Sequence, residues 1–127
     1  MYKRQEYAAR GGKNGRATKF AGSKDVNEVA WYTETTNDSG TKEVGTKKGN
    51  ELGIYDMSGN VYEWCADWYG DYAAEPQNNP RGPEEGSSRV LRGGSWNLYD
   101  SSCRVSNRIN YDPDYRIINS GFRVAQD

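Results

Sequence analysis

The segment from Leu52 to Tyr69 is the most strongly patterned part of this chain, and it limits the fold more than any other feature. A turn at residues 58–60 precedes nine residues, 61–69, that alternate in the manner of a β-strand. Because successive side chains of a strand point to opposite faces, one face should carry Val61, Glu63, Cys65 and Asp67. The chain must therefore contain a sheet, and this strand should belong to it.

The other predicted elements are short, and turn residues separate them. Ten Tyr, four Trp and 15 Gly dominate a chain that is only 34% hydrophobic, which favours an irregular, loop-rich fold with a thin core. Its 127 residues suit one domain, and we expect an α+β class. The pattern predicts the last turn of a helix at 6–10, strands at 28–32, 89–92 and 121–125, and loops at 13–25, 33–50, 70–88 and 97–120. We expect all four tryptophans to lie in the core.

Charge and residue usage exclude several classes of function. The formal net charge is −1, which argues against binding to nucleic acid through a basic surface. No apolar run approaches the roughly 18 residues that a membrane-spanning helix needs. The chain contains no histidine, so His-based general-base catalysis, Ser-His-Asp triads and His-ligated iron sites are closed to it.

Four segments in a fixed order carry a resemblance to a known family. They are Glu6-Tyr7-Ala8-Ala9-Arg10-Gly11-Gly12, the run from Asn50 to Trp64, Arg92-Gly93-Gly94-Ser95-Trp96, and Gly121-Phe122-Arg123. Together they resemble the formylglycine-generating enzyme, or sulfatase-modifying-factor, family. The resemblance implies a C-type lectin-like fold with short antiparallel strands and without the N-terminal part of the family domain. We predict a single family domain at 6–127 and a non-native start at 1–5, from a truncated reading frame; a naturally short relative is the alternative.

The resemblance also bears on catalysis. The family's oxidases bind copper through two cysteines near the C-terminus, and the position of the first is Leu98 here. Leucine offers no lone pair to a soft metal, so we expect no copper site and no catalysis. The alternative function is that of a sulfatase-modifying-factor-type oxidase or a related enzyme of the superfamily. Cys65 and Cys103 form either a disulfide or two buried free thiols, and two cysteines alone do not fix the compartment.

A structural calcium site is a further implication of the resemblance. Asp56, Gly59, Val61 and Glu63 stand where family members bind calcium, through side-chain oxygens at 56 and 63 and carbonyls at 59 and 61. Calcium is a hard ion that prefers such oxygen ligands gathered at a turn. In the alternative interpretation, Asp56 caps the turn and Glu63 pairs with an arginine.

Residues 97–120 resemble the variable region of proteins diversified by retroelements, which rewrite adenines within Asn codons. Each varied residue can be reached from an Asn codon by changing adenines alone, and Tyr, Asp and Ser are typical of adaptable binding loops. In the alternative interpretation these are ordinary loop residues. If the segment is diversified in this way, the chain should act outside the cell or at its surface; the sequence does not otherwise indicate a location. We predict a non-catalytic surface for a protein or glycan ligand, formed by Leu98, Tyr99, Asp100, Ser102, Ile109, Tyr111, Asp112, Asp114, Tyr115, Ile117, Ile118 and Asn119.

Overall fold

The computed structural model describes residues 2–75 and 82–125, and regular structure is sparse within them. Short helices and 3-10 turns occupy the N-terminal half, and a small sheet occupies the C-terminal half. The helices are α1 (Tyr2–Ala9), α2 (Val26–Val29) and α3 (Thr33–Thr36); the strands are β1 (Tyr62–Trp68), β2 (Arg89–Arg92), β3 (Arg108–Tyr111) and β4 (Ser120–Gly121). Two 3-10 helices, Gly12–Asn14 and Asp100–Cys103, complete the set.

The four strands form one sheet in the order β3-β2-β1-β4. β1 and β2 are antiparallel with Glu63 opposite Arg92, and β2 and β3 are antiparallel with Leu91 opposite Ile109. β4 differs from the antiparallel arrangement that we expected, because it runs parallel to β1 with Tyr62 opposite Ser120. A parallel neighbour needs a crossover connection, and residues 112–119 lead from β3 at one edge of the sheet to β4 at the other.

The alternation predicted for the central strand is confirmed. Glu63, Cys65 and Asp67 of β1 are buried, whereas Ala66 between them is exposed. The expectation for the tryptophans is wrong, because Trp31, Trp64, Trp68 and Trp96 are all only half-buried. Indole rings are too large to be enclosed by so thin a core, so their edges remain at the surface.

The core consists of small clusters rather than one continuous layer. Among the residues that the structure describes, fourteen hydrophobic residues are buried, and twelve of them divide into three groups. The first group contains Phe20, Val26, Val29, Ala30, Tyr32 and Cys103; the second contains Ala9, Ala21, Met57 and Val105; the third contains Cys65 and Val90.

Buried polar contacts join these clusters across the loops. Ser58 is fully buried; its Oγ accepts a hydrogen bond from the backbone N of Ala21 and donates one to the carbonyl of Cys103. Asn60 exchanges two side-chain hydrogen bonds with the backbone of Lys42. The predicted turn at 58–60 is therefore the place where three loops meet.

Two predicted strands are wrong in whole or in part. Residues 26–29 are helical, because the Asp25 carboxylate accepts a hydrogen bond from the backbone N of Asn27 and caps α2; only the segment from Ala30 to Tyr32 is extended. The terminal strand ends at Gly121, and Phe122 and Val124 are 80% and 87% exposed. β3 was not predicted, and part of the predicted connection, residues 76–81, lies outside the described residues.

α1 begins before the predicted helix end and includes residues of the segment that we predicted to be a non-native start. Its residue Gln5 donates a hydrogen bond to Glu63 of β1 and accepts one from the Cys65 thiol. The origin of that segment stays a prediction. None of the helices in the described part of the chain has the length and apolar character needed to cross a bilayer.

Candidate functional site

Two glycines after β2 set the course of the segment that follows. Gly93 and Gly94 have φ values of +100° and +74°, in the left-handed region that favours glycine. A Cβ atom on Gly94 would lie 2.8 Å from both the Ser102 carbonyl oxygen and the Cys103 Sγ. The missing side chain therefore allows the 3-10 helix Asp100–Cys103 to pack directly against the end of β2.

Asn119 ties the end of the segment back to its beginning. Its Nδ2 donates hydrogen bonds to Asn97 Oδ1 at 2.9 Å and to Ser95 Oγ at 3.2 Å, and Ser95 is fully buried. Its carbonyl accepts from the backbone N of Tyr62 at the start of β1. The segment is thus a closed loop on the sheet, held at both ends by the same network.

The structure exposes half of the twelve residues that we predicted to bind a ligand. Ile118 is 82% exposed and Tyr99 is 71% exposed, although both are large and apolar. Single exposed apolar side chains are common at protein surfaces, so these residues indicate a contact site only together with the neighbouring exposed aromatic residues. The exposed residues are Tyr99, Tyr111, Asp112, Asp114, Tyr115 and Ile118.

The other half is only partly exposed, and several members hold the fold. Asp100 pairs with Lys19 at 3.5 Å, the Leu98 carbonyl accepts from the backbone N of Thr33, and Ile109 stands in the β3 ladder. Each of these residues is partly exposed to solvent, and several of them also contact other parts of the domain. They are Leu98, Asp100, Ser102, Ile109, Ile117 and Asn119.

The tip beyond β3 is held by a ring stack and by its own hydrogen bonds. The rings of Tyr111 and Tyr115 stack, with centroids 5.1 Å apart and planes inclined by 24°. The Asp112 carboxylate accepts from the backbone N of Asp114, and the Asp112 carbonyl accepts from the backbone N of Tyr115. This turn presents two aromatic rings and two carboxylates on a backbone that its own hydrogen bonds hold.

The two cysteines are free thiols, so the disulfide is not formed in this structure. Both are buried, and they lie in different core clusters. Burial raises the pKa of the Cys65 thiol and that of the Cys103 thiol to about 12 each. At neutral pH both thiols are protonated, and a protonated thiol is neither a good nucleophile nor a good ligand for a soft metal.

The residues predicted to bind calcium line one cleft of about 650 Å³. One Asp56 carboxylate oxygen accepts from the backbone N of Gly45 at 2.7 Å, and the other, Oδ1, is buried without a hydrogen-bond partner. Among the described residues no three side chains of Asp, Glu or Cys come together as a metal site, so a cation here would depend on the carbonyls of Gly59 and Val61 as well.

Arg123 meets Glu63 in the same cleft. Its Nη2 lies 2.7 Å from Glu63 Oε1, and its Nε donates to both carboxylate oxygens at 3.1 Å. This hydrogen bonding raises the pKa of Arg123. The pairing agrees with the alternative that we considered for Glu63. The Gly121-Phe122-Arg123 motif marked Arg123 as part of the frame, but the sequence did not identify its partner.

Comparison with known proteins identifies the family. A model of the sulfatase-modifying factor enzyme 1-like domain matches residues 3–127. The formylglycine-generating enzyme of Streptomyces coelicolor is 38% identical over 96% of this chain and 44% of its own length. A chaperone protein, LppX, of Paenibacillus barcinonensis is 34% identical over 95% of this chain and 46% of its own length. The chain thus spans less than half the length of these relatives.

Solved structures give the same answer for the fold. Treponema denticola variable protein 1 matches 96% of this chain and 44% of its own with a TM-score of 0.87 and 38% identity. PvdO from Pseudomonas aeruginosa matches 95% and 49% with a TM-score of 0.78 and 30% identity. The predicted α+β, C-type lectin-like fold and the resemblance to variable proteins are both confirmed. The chain belongs to the sulfatase-modifying-factor family of formylglycine-generating-enzyme-like domains.

Proposed function

We propose that this chain is a non-catalytic binding protein that displays a diversified surface, formed by residues 97–120, on its lectin-like scaffold. The observation that carries the proposal is the exposed tip at Tyr111–Tyr115, on a fold that matches a variable protein with a TM-score of 0.87. The ligand is a protein or a glycan, because tyrosine rings offer flat contact area to either, and the tyrosine hydroxyls and the neighbouring carboxylates offer hydrogen-bonding groups.

The arrangement of the tip supports a binding role on energetic grounds. Tyr111 and Tyr115 are 38% and 53% exposed, so each still has ring surface to bury against a partner. Their stacking and the Asp112 turn hold the rings before any ligand arrives, and prior ordering lowers the entropy that binding must overcome. Ile118, at 82% exposed, adds apolar area beside the polar tip.

The chemistry of the thiols supports the absence of catalysis. Leu98 occupies the position of the first cysteine of the family's oxidases, and the Cys103 thiol is fully buried with a pKa of about 12. A copper site would need two accessible thiolates. The oxidase alternative has a direct test: the purified chain with copper and a cysteine-containing peptide should consume no oxygen above the rate of copper alone. Turnover of the peptide would refute the proposal.

We also propose that calcium binds beside the 58–60 turn as a structural ion. Asp56 would supply its unpartnered buried oxygen, and Gly59 and Val61 would supply their carbonyls. Glu63 would supply Oε2, in exchange for the hydrogen bond that this oxygen now accepts from Gln5. The ion would supply no reaction; it would neutralise the Asp56 carboxylate and fix the turn.

The calcium proposal is tested by thermal unfolding with and without a chelator. At a calcium concentration of 100 times Kd, binding would stabilise the fold by about 2.7 kcal/mol. We expect EGTA to lower Tm by several degrees, and Asp56→Asn to abolish that response. Glu84→Gln, which removes an exposed carboxylate elsewhere, should leave it intact. Equal Tm values in EGTA and in calcium would contradict the site.

The binding proposal is tested first by sister copies of the gene. Their differences should fall at the predicted codons of residues 98–119, beside a repeat that carries Asn there and a reverse transcriptase gene; differences spread uniformly along the gene would refute diversification. Screening on an array of glycans and surface proteins then tests binding. Replacing Tyr111 and Tyr115 by Ser should remove the signal, whereas Tyr55→Ser, outside the segment, should retain it.

A further inference from the structure

A second cleft lies beside α1. Three residues of α1 and Arg10, which directly follows it, form one wall, because their spacing of i, i+3, i+4 and i+7 places side chains on one face of a helix. Tyr72 and Ser106 form the other wall. The cleft, which we call the α1 cleft, has a volume of about 460 Å³ and is lined by Lys3, Glu6, Tyr7, Arg10, Tyr72 and Ser106.

Glu6, the only acid among the described residues that line the cleft, is already neutralised. Arg10 donates to Glu6 Oε1 through Nε at 2.9 Å and Nη2 at 2.7 Å. Arg92, which is 3% exposed, donates to Glu6 Oε2 at 2.8 Å from beneath. Both oxygens of this carboxylate therefore already face guanidinium groups, and the described lining residues comprise two cations and one acid.

The cations at the rim are held in place by an aromatic ring. Lys3 Nζ lies 5.6 Å from the centroid of the Tyr72 ring, and the Arg108 guanidinium lies 3.9 Å from it. The Tyr72 hydroxyl also accepts a hydrogen bond from Arg92 Nη2. Tyr72 is thus fixed from three directions, yet its ring is 49% exposed, and Tyr7 across the cleft is 59% exposed.

We propose that the α1 cleft binds an oxyanion, a carboxylate or phosphate group, between the Lys3 ammonium and the Arg10 guanidinium. Lys3 carries no ion pair with a described acid, and Arg10 is 41% exposed with donors that Glu6 does not use. The Ser106 hydroxyl adds a neutral donor, and the exposed rings of Tyr7 and Tyr72 would flank a sugar ring or similar group that carries the anion. This site does not depend on the proposed ligand surface.

The exposure of the cleft sets the strength and the salt dependence of binding. Its cations are partly solvated, so each contact contributes far less than a buried ion pair would. Charges at a surface are screened over about 8 Å at 0.15 M salt, and affinity should therefore fall as salt is added.

The test is a titration of the full chain with small probes, followed by NMR chemical shifts at low salt. The probes are inorganic phosphate, glucuronate and neutral glucose. We expect saturable shifts around the α1 cleft with phosphate and with glucuronate, and none with glucose. The tighter of the two anions identifies the natural group, and either result supports the site. Equal binding of glucose, or no saturation by either anion below about 50 mM, would overturn the proposal.

Charge variants separate this site from general attraction of anions. Arg10→Gln should weaken anion binding about five- to tenfold, and Arg10→Lys should recover part of it, because the charge returns without the fork of donors. Arg16→Gln makes the same change at an exposed arginine outside the cleft, and should have no effect. If Arg10→Gln and Arg16→Gln weaken binding equally, no specific site exists.

Two controls keep the result interpretable. Arg10 forms one partly exposed i,i+4 ion pair, so its removal should leave Tm within a few degrees, and that is checked first. Lys3 lies in the segment predicted to be a non-native start, so the Arg10 variants, which fall inside the family domain, decide the outcome. Lys3→Gln should weaken binding as well, by a smaller factor.

Discussion

Substitution of Gly94 by alanine tests whether the glycine pair after β2 determines how the variable segment packs. Two costs add at this position. The backbone has φ +74°, and a side chain in the left-handed region costs about 1–2 kcal/mol. The new Cβ would also stand 2.8 Å from the Ser102 carbonyl oxygen and from the Cys103 Sγ, and forced overpacking of this kind costs about 1–3 kcal/mol. We expect a total loss of about 2–5 kcal/mol in the free energy of unfolding.

The chain provides a matched control for the backbone cost alone. Gly53 has φ +70°, and an added Cβ there would meet nothing within 4 Å. Gly53→Ala should therefore lose only the first part, about 1–2 kcal/mol. Urea unfolding of the two variants and the parent measures the difference, which is the cost of pushing the 3-10 helix Asp100–Cys103 away from β2. Equal losses in both variants would refute this account of how the segment is placed.

Three further outcomes follow from the buried thiols and from Arg92. At pH 8, Cys65 and Cys103 should react with iodoacetamide about a thousandfold more slowly in the folded chain than in urea. The reason is that a thiol pKa of about 12 in place of 9.0 leaves about a thousandfold less thiolate. Mass spectrometry after timed quenching measures the two rates. Because folding raises the pKa of both thiols, their contribution to the free energy of unfolding is complete below pH 9 and is lost as the pH rises towards 12, by about 1.4 kcal/mol per thiol and pH unit. Urea midpoints that do not change between pH 8 and pH 10.5 would contradict this. Arg92→Met should cost about 3–5 kcal/mol in urea unfolding, because it leaves Glu6 without its buried partner, whereas a loss below about 1 kcal/mol would show that the pair is dispensable.

The sequence predicted those elements whose signals are local. The alternation in β1, the strand β2 before Gly93, and the helix that ends before Gly11 could all be read from spacing and from turn residues. Residues 28 and 29 were predicted to begin a strand but end α2, because the cap at Asp25 determines the local conformation. β3 and the parallel pairing of β4 depend on contacts between distant residues, which no local pattern contains.

The candidate site, too, could be predicted from the sequence only in part. The location of a surface loop at 97–120 could be predicted from its polarity, but the exposure of each residue could not. Asn119 and Tyr111 are both predicted variable positions, and the sequence does not distinguish their exposure. In the structure, Asn119 donates hydrogen bonds to Ser95 and Asn97, whereas Tyr111 stacks on Tyr115 at the tip. The α1 cleft was missed because its two walls are separated by more than 60 residues in the chain.

This division by exposure gives the diversification hypothesis a structural consequence. A surface that varies from copy to copy is useful only if the fold survives each change, so the positions without core contacts should tolerate the widest range of residues. Asp112, Tyr115 and Ile118 meet that condition, and exchanges there should alter the free energy of unfolding by less than about 0.5 kcal/mol. Cys103, fully buried between these variable stretches, does not, and Cys103→Tyr should prevent folding. A binding surface on this scaffold therefore requires free variation at Asp112, Tyr115 and Ile118 and an unchanged Cys103. Equal tolerance of substitution at all four positions would mean that 97–120 is an ordinary loop.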